Sequence, residues 1–376
     1  MTYKVPFIDY PLAYHLIKED IDEAFFGCLN RGDLIYRKDM IQFENDFASF
    51  QDCNYGIGTG SCTNAMFISL KAAGIKPGDE VITVSHTYVA SIDVIVHCGA
   101  KPVLIDVGPD HNMDTSLIED AITDKTRGIL PVHLNGRVCN MDVIEKCVND
   151  HDLILVEDAA QACGAKYRSK ASGSFGVSGC FSFYPSKILG WPGEGGMVTT
   201  RDKEFARTLY LMRDHGELPG YAQTLEDTKG TIYAYGYNTI LDNIAAAILN
   251  AKMKYLPSWI ERRREIAQIY TEELSKISDL ELMPGPSNGA YYDTYQNYVL
   301  LSKERNKLVK HLKDNGVETL SKWEIPNHKQ KALKLDHFKL PMTEKISNEV
   351  INLPMFPELT DEQVFYTVKT IKSFYK

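Results

Sequence analysis

Three short stretches of the chain combine reactive side chains with the apolar runs and turns that could hold them. Lys187 ends Phe181-Ser182-Phe183-Tyr184-Pro185-Ser186-Lys187 and is followed by Gly193-Glu194-Gly195-Gly196. A lysine between an apolar strand and a glycine cluster can be partly desolvated, which makes its amine nucleophilic, whereas an ordinary loop lysine stays solvated. Asp158 stands in Val156-Glu157-Asp158-Ala159-Ala160-Gln161, at the end of a buried run. It reads either as a helix cap or turn residue, or as a carboxylate held ionised by hydrogen bonds and facing a cationic ring nitrogen. The third stretch, Gly56-Ile57-Gly58-Thr59-Gly60-Ser61-Cys62-Thr63-Asn64-Ala65, is a glycine- and hydroxyl-rich turn opening a helix that runs to about residue 73. Its free N–H groups could receive a phosphate, or it could simply close a turn. Ser61 occupies the place of the last glycine of a dinucleotide fingerprint, and no phosphate-loop lysine follows.

These groups work together only if a scaffold brings them to one place. Between residues 55 and 200, short β-branched runs alternate with segments of helical period, as in a mostly parallel sheet covered by helices on both faces. Strands are predicted at 80–84, 102–106, 128–132, 153–157 and 180–184, and helices at 87–98, 116–122 and 141–150. The apolar residues of the strands run continuously, which suits burial on both faces. All three stretches then fall near the carboxyl ends of strands, where open α/β sheets bind ligands. Beyond residue 200, helices are predicted at 203–213 and 241–274, the second restarting at Pro257. A strand at 297–301 and a last helix opening on Thr360-Asp361-Glu362-Gln363, a capping-box spacing, complete a small α+β region. The expected fold class is α/β, an α/β/α sandwich with a smaller C-terminal α+β domain, divided as 1–250 and 251–376. Residues 217–232, rich in Gly, Thr and charge, read as a mobile loop or a simple connection.

Composition narrows the class of ligand. The 376 residues are 44% hydrophobic and 24% charged, ordinary globular values. Lys and Arg number 41 against 50 acidic residues, a net charge of −9, which argues against nucleic-acid or membrane-surface binding. An anionic ligand would need a local site, for which Arg31, Arg37, Lys38, Arg213 and Lys329 are candidates. The eight cysteines show no metal-ligand spacing, so no metal site is expected, and their scatter suits a reducing cytoplasm. No segment reads as a signal peptide or a membrane span.

A phosphate cradle, an acid for a ring nitrogen and an amine for a Schiff base are the parts a pyridoxal 5'-phosphate enzyme requires. The chain also resembles the DegT/DnrJ/EryC1/StrS family of fold-type I sugar aminotransferases over nearly its whole length. The matching stretches include Lys76-Pro77-Gly78-Asp79-Glu80, Pro131-Val132-His133-Leu134-Asn135-Gly136, Glu157-Asp158-Ala159-Ala160-Gln161, 181–187, Gly236-Tyr237-Asn238 and Leu353-Pro354-Met355-Phe356-Pro357.

The resemblance implies that Lys187 carries the cofactor as a Schiff base and moves the proton, and that Asp158 pairs with the ring nitrogen. Gln161 meets the ring hydroxyl, Tyr88 lies against the ring, and Thr63, Asn64 and Ser182 hold the phosphate. Asn238 completes the phosphate site of a neighbouring subunit, which implies a homodimer, and His328 stands on the substrate side. The implied reaction moves an amino group from an amino acid, glutamate in the family, to the 3- or 4-keto carbon of a nucleotide-linked deoxysugar, by way of pyridoxamine 5'-phosphate. Two positions depart from the family pattern: Cys62 replaces the usual glycine of the phosphate turn, and Ile240 replaces a common arginine. Amination of a keto-cyclitol, a silent regulatory member of the fold and a nicotinamide-dependent dehydrogenase are the rival readings.

Overall fold

Seven strands form the central sheet: β1 (Tyr55–Thr59), β2 (Glu80–Val84), β3 (Lys101–Ile105), β4 (Thr126–Ile129), β5 (Ile154–Asp158), β6 (Ser178–Ser182) and β7 (Gly196–Thr200). Their order is β1-β7-β6-β5-β4-β2-β3. Strands β3, β2, β4, β5 and β6 are parallel neighbours, while β7 runs antiparallel to both β6 and β1. This computed structural model describes residues 3–224, 227–228, 230–287 and 289–376.

The sheet separates two apolar cores, and successive residues of each strand alternate between them. Val81, Val156, Cys180 and Val198 face one core with Ala65, Met66, Ala90 and Leu209 of the covering helices. Ile82, Leu155, Phe181 and Met197 face the other, with Phe43, Phe47, Ile144 and Leu249. Every residue of β2 and β7 is buried, the burial expected of strands with helices on both sides.

The predicted strands appear within three residues of their expected bounds, but β1 and β7 escape the sequence pattern. In β1 the glycines make close backbone approaches rather than a turn. A Cβ at Gly56 would lie 2.4 Å from the Glu44 carbonyl oxygen, and one at Gly58 would lie 3.0 Å from Leu241 Cβ. The amino-terminal helices Tyr10–Leu16, Lys18–Arg31 and Lys38–Phe50 also lie outside the elements read from the sequence.

The carboxyl-terminal part is built on an antiparallel sheet of β8 (Leu280–Leu282), β9 (Tyr298–Ser302) and β10 (Val350–Leu353), in the order β8-β9-β10. Helices Leu256–Leu274, Arg305–Asp314, Pro341–Glu349 and Asp361–Phe374 accompany it. Pro257 sits in the first turn of its helix, and Thr360 with Gln363 forms the expected capping box. Residues 225, 226 and 229 of the candidate loop at 217–232 lie outside the described residues. Its described part is held where Arg207 grips Asp227 with two hydrogen bonds, of 3.0 and 2.6 Å. All eight cysteines are free and buried. Among the described residues no helix is long and apolar enough to cross a membrane.

Candidate active site

The carboxyl end of β5 carries two adjacent acids with different surroundings. Glu157 is fully buried and accepts from the N–H groups of Gly173, Phe175 and Gly176 at 2.7, 2.7 and 2.9 Å, with His133 Nε2 at 2.9 Å. Its acceptor capacity is taken up by structure. Asp158, on the opposite side of the strand, accepts among the described residues from Ser91 Oγ at 2.7 Å and Ala160 N–H at 3.1 Å, which leaves capacity for a further donor. Burial pushes its carboxyl above the usual range, against the opposing pull of those two hydrogen bonds and of the Lys187 charge. A cationic N–H placed there would hold the carboxylate ionised.

Lys187 follows β6 by five residues and is half-buried. Desolvation nevertheless pushes its amine below the usual lysine range, opposed by the nearby Cys62 and Asp158. It lines a cavity of about 530 Å³ together with Tyr10, Pro185, Trp191, Trp259 and Arg263. A desolvated amine within electrostatic reach of a buried carboxylate is a competent nucleophile and proton carrier.

The register of three strands builds the anion cradle. Gly196 of β7 pairs with Thr59 of β1 on one side and Ser182 of β6 on the other. Ser61 caps helix Cys62–Ala72, its Oγ accepting from Asn64 N–H at 3.1 Å. The N–H groups of Cys62 and Thr63 are therefore left for a ligand at the helix start. A Cβ on Gly196 would stand 2.4 Å from the Ser61 carbonyl carbon and 2.5 Å from Cys62 N, so only glycine lets the turn lie this close to the sheet. Thr239 Oγ1 fixes the far side by accepting from Asn64 Nδ2 at 2.6 Å and Gly60 N–H at 3.2 Å. Asn238, its neighbour, is exposed. Cys62 is buried as the first residue of the helix, and Ile240 bridges to Thr59.

Gln161 has a fixed amide direction. Its Oε1 accepts from Asn135 N–H at 3.0 Å and from Asn297 Nδ2 at 2.9 Å, so its NH2 group is left as a donor. That suits an oxygen anion on a ligand ring. The set of groups thus fits pyridoxal 5'-phosphate: an acceptor for the ring nitrogen, a donor for the ring oxygen, an amine and an anion cradle. Tyr88 is 65% exposed, with its ring open to a neighbour. His328 is fully buried, with Nδ1 2.8 Å from Ser85 Oγ and Nε2 3.1 Å from Glu344 Oε1, so both ring nitrogens have partners inside the chain.

Of the candidate cations, Arg213 is not available to a ligand. It is fully buried, paired with Glu44, and donates to Gly58 O at 3.1 Å and Tyr221 Oη at 2.7 Å. Arg31 pairs with Asp33 and Asp39, Arg37 lies 3.9 Å from Asp33, and Lys329 pairs with Glu344. Lys38 is exposed. Ser91, Thr239, Asn297 and Lys322 contribute to the site without having been singled out in the sequence. They are ordinary polar residues on distant segments, and only the fold gives them partners.

The chain is similar to known proteins over nearly its whole length. The chain is 37% identical over 377 residues to the "Pleiotropic regulatory protein" of Geobacillus stearothermophilus, covering 99% of each. It is 36% identical over 374 residues to dTDP-3-amino-3,6-dideoxy-alpha-D-galactopyranose transaminase of Aneurinibacillus thermoaerophilus, covering 98% of this chain and 99% of that one. The crystal structure of S. venezuelae DesV in complex with a ketimine intermediate superposes with a TM-score of 0.93 at 33% identity, over 100% of this chain and 99% of that one. A family model matches residues 15–372, and the chain belongs to the DegT/DnrJ/EryC1/StrS aminotransferase family.

Proposed function

We propose that this aminotransferase uses pyridoxal 5'-phosphate to move an amino group from an amino acid, L-glutamate, to the 3- or 4-keto carbon of a nucleotide-linked deoxysugar. The product would be an amino sugar destined for a surface polysaccharide or a natural product. The observation that carries this reading is the buried Asp158 carboxylate, whose hydrogen bonds from Ser91 Oγ and Ala160 N–H leave acceptor capacity for a ring N–H. Transaminase names among full-length relatives supply the substrate class.

When bound, the cofactor supplies an electron sink that lets an amino group and a proton be exchanged between two carbon skeletons. Asp158 would hold the ring nitrogen's proton, and Ser91 would keep the carboxylate oriented. Gln161 would donate to the ring oxygen, and Tyr88 would cover the ring. Thr63, Asn64 and Ser182 would hold the phosphate. Lys187 Nζ would bind the cofactor's aldehyde carbon between turnovers and act as base and acid at the carbon that bears the transferred amine. His328 would serve the substrate side by positioning Ser85 and Glu344.

The working unit in this reading is a homodimer in which the partner subunit's Asn238 completes each phosphate site. Exposed apolar side chains support it: Leu16, Phe26, Leu34 and Ile35 near the amino terminus and Tyr235 before Asn238 are all more than half exposed. The reading divides the chain into a cofactor-binding unit, 1–250, and a smaller unit, 251–376. Free buried cysteines suit a reducing cytoplasm.

The test is amine transfer from glutamate to dTDP- and UDP-linked 3- and 4-ketosugars, followed by mass spectrometry of the sugar product. Transfer to a free keto-inositol alone would move the assignment to keto-cyclitol chemistry. Cofactor binding without transfer to any keto acceptor would point to a regulatory member of the fold.

A further inference from the structure

Glu119, Cys147 and His151 form a cluster outside the candidate active site. Their ligand atoms, a carboxylate oxygen, a thiol sulfur and an imidazole nitrogen, all lie within 4.8 Å of one another. Cys147 and His151 stand four residues apart at the end of helix Met141–Asp150, a spacing that puts both on one face. The His151 N–H donates to the Cys147 carbonyl at 3.1 Å, which keeps that last turn intact. Glu119 comes from helix Ile118–Ala121, between β3 and β4. The cysteines alone carry no metal-ligand spacing; the cluster exists because the fold brings the Glu119 carboxylate to this helix end.

The surroundings suit a cation. Glu119 Oε2 lies 2.9 Å from His151 Nε2, and the Glu119 charge also reaches the Cys147 thiol. Sulfur and nitrogen thus converge on one carboxylate. The helix has no basic residue in its last turn, so the negative end of its dipole lacks the side-chain charge that would offset it. Lys146 is the cation facing the cluster, and Asp150 pairs with it while adding its own negative charge beside Cys147 and His151. Cys147 is 2% exposed, whereas Glu119 and His151 are exposed. The sulfur therefore forms a fixed floor, and the two side chains above it are free to turn.

We propose that Glu119, Cys147 and His151 bind a zinc ion, with water as the fourth ligand. Thiolate, imidazole and carboxylate together match Zn2+, whereas Mg2+ and Ca2+ take oxygen ligands. Zinc bonds of about 2.3 Å to sulfur and about 2.0–2.2 Å to nitrogen and oxygen put tetrahedral ligands roughly 3.5 Å apart. Small rotations of Glu119 and His151 reach that spacing. On binding, the thiol proton leaves to solvent and the sulfur–zinc bond takes its place. His151 precedes β5 by three residues, while Asp158 ends the same strand, so the ion sits at the opposite end of β5 from the cofactor's acid. There it ties two helices together and takes no part in amine transfer.

The experiment uses the cofactor-loaded protein, freed of metal with a chelator, and the variants Cys147→Ala and His151→Gln. Zinc bound per chain is measured by equilibrium dialysis and atomic emission, and melting temperature is read with and without zinc. The parent should bind one zinc per chain and melt a few degrees higher with it, because the ion binds the folded chain. Loss of a ligand atom should weaken zinc by more than about 100-fold, beyond the cost of losing an outer partner of a metal ligand. The zinc-dependent rise in melting temperature should vanish with it, and Mg2+ should give neither effect in the parent.

His151→Gln changes an exposed side chain, so it keeps the test readable even if Cys147→Ala, in the core, folds poorly. Parent protein that takes up no zinc at micromolar concentration would overturn the site. Zinc affinity unchanged in either folded variant would overturn it too, by placing the ion on other residues.

Discussion

Ser91 Oγ donates to Asp158 Oδ2 over 2.7 Å, joining helix Ala90–His97 to the carboxyl end of β5. The acid is thereby aimed by a residue 67 positions away in the chain. Replacing Ser91 by Ala removes one of the two hydrogen bonds that favour the ionised form, so the carboxyl moves further up and pairs less well with a ring N–H. The expected result is weaker cofactor binding and a kcat lowered by about tenfold, on the scale of one hydrogen bond to a charged group. Equilibrium dialysis and steady-state rates measure both, and parent-like values would show that Ser91 does not orient Asp158.

Asp158 also links function to stability. Its carboxyl lies above the ordinary range in the folded chain, so the native state holds this proton more tightly than the unfolded chain does. Stability of the cofactor-free protein therefore falls as pH rises from the ordinary carboxylate range through the raised value, and the cost persists at neutral pH. Asp158→Asn removes that cost. The variant should melt at a higher temperature than the parent without cofactor at pH 7, yet gain little on adding cofactor. A lower melting temperature for the cofactor-free variant would contradict the assignment.

Gly196 tests the anion cradle. Alanine there would bring a Cβ to 2.4 Å from the Ser61 carbonyl carbon, and neither the strand nor the helix start can give way freely. Overpacking of this kind costs about 1–3 kcal/mol. Gly196→Ala should lower the unfolding midpoint in denaturant and weaken affinity for the cofactor's phosphate, measured as competition by inorganic phosphate. A variant with parent-like phosphate affinity would place the anion elsewhere.

Arg213 separates structure from ligand binding. With Glu44 and Tyr221 it forms a buried cluster that also holds the backbone of Gly58. Arg213→Met would leave the Glu44 carboxylate buried and unpaired, at a cost of about 3–5 kcal/mol. Chemical denaturation should show that loss, with the KM for the nucleotide sugar unchanged in the folded fraction. A raised KM with little loss of stability would return Arg213 to the list of substrate cations.

The parts that were legible in the sequence are those written locally. Continuous apolar runs marked β2 to β6, and the order of glycine turn, Asp158 and Lys187 pointed to the cofactor. Strands β1 and β7 were not legible, because the glycines that let Gly56 and Gly196 approach other backbone segments look like turn residues in sequence. Arg213 looks like a surface cation in sequence for a related reason: its buried partner Glu44 lies 169 residues away. Ser91, Thr239, Asn297 and Lys322 gain their meaning only from partners on other segments. The imidazole of His328 likewise has one of its nitrogens taken by Ser85, 243 residues away, and the other by Glu344.

The most direct test of the central claim is reductive trapping. Protein loaded with pyridoxal 5'-phosphate is treated with borohydride, digested, and its peptides analysed by mass spectrometry, with Lys187→Ala and Lys322→Gln in parallel. One reduced cofactor per chain is expected on the peptide containing Lys187, retained in Lys322→Gln and lost in Lys187→Ala. A visible absorbance band should disappear when glutamate is added to the untreated protein. Label on Lys322 or another lysine, or no covalent cofactor at all, would contradict the central claim.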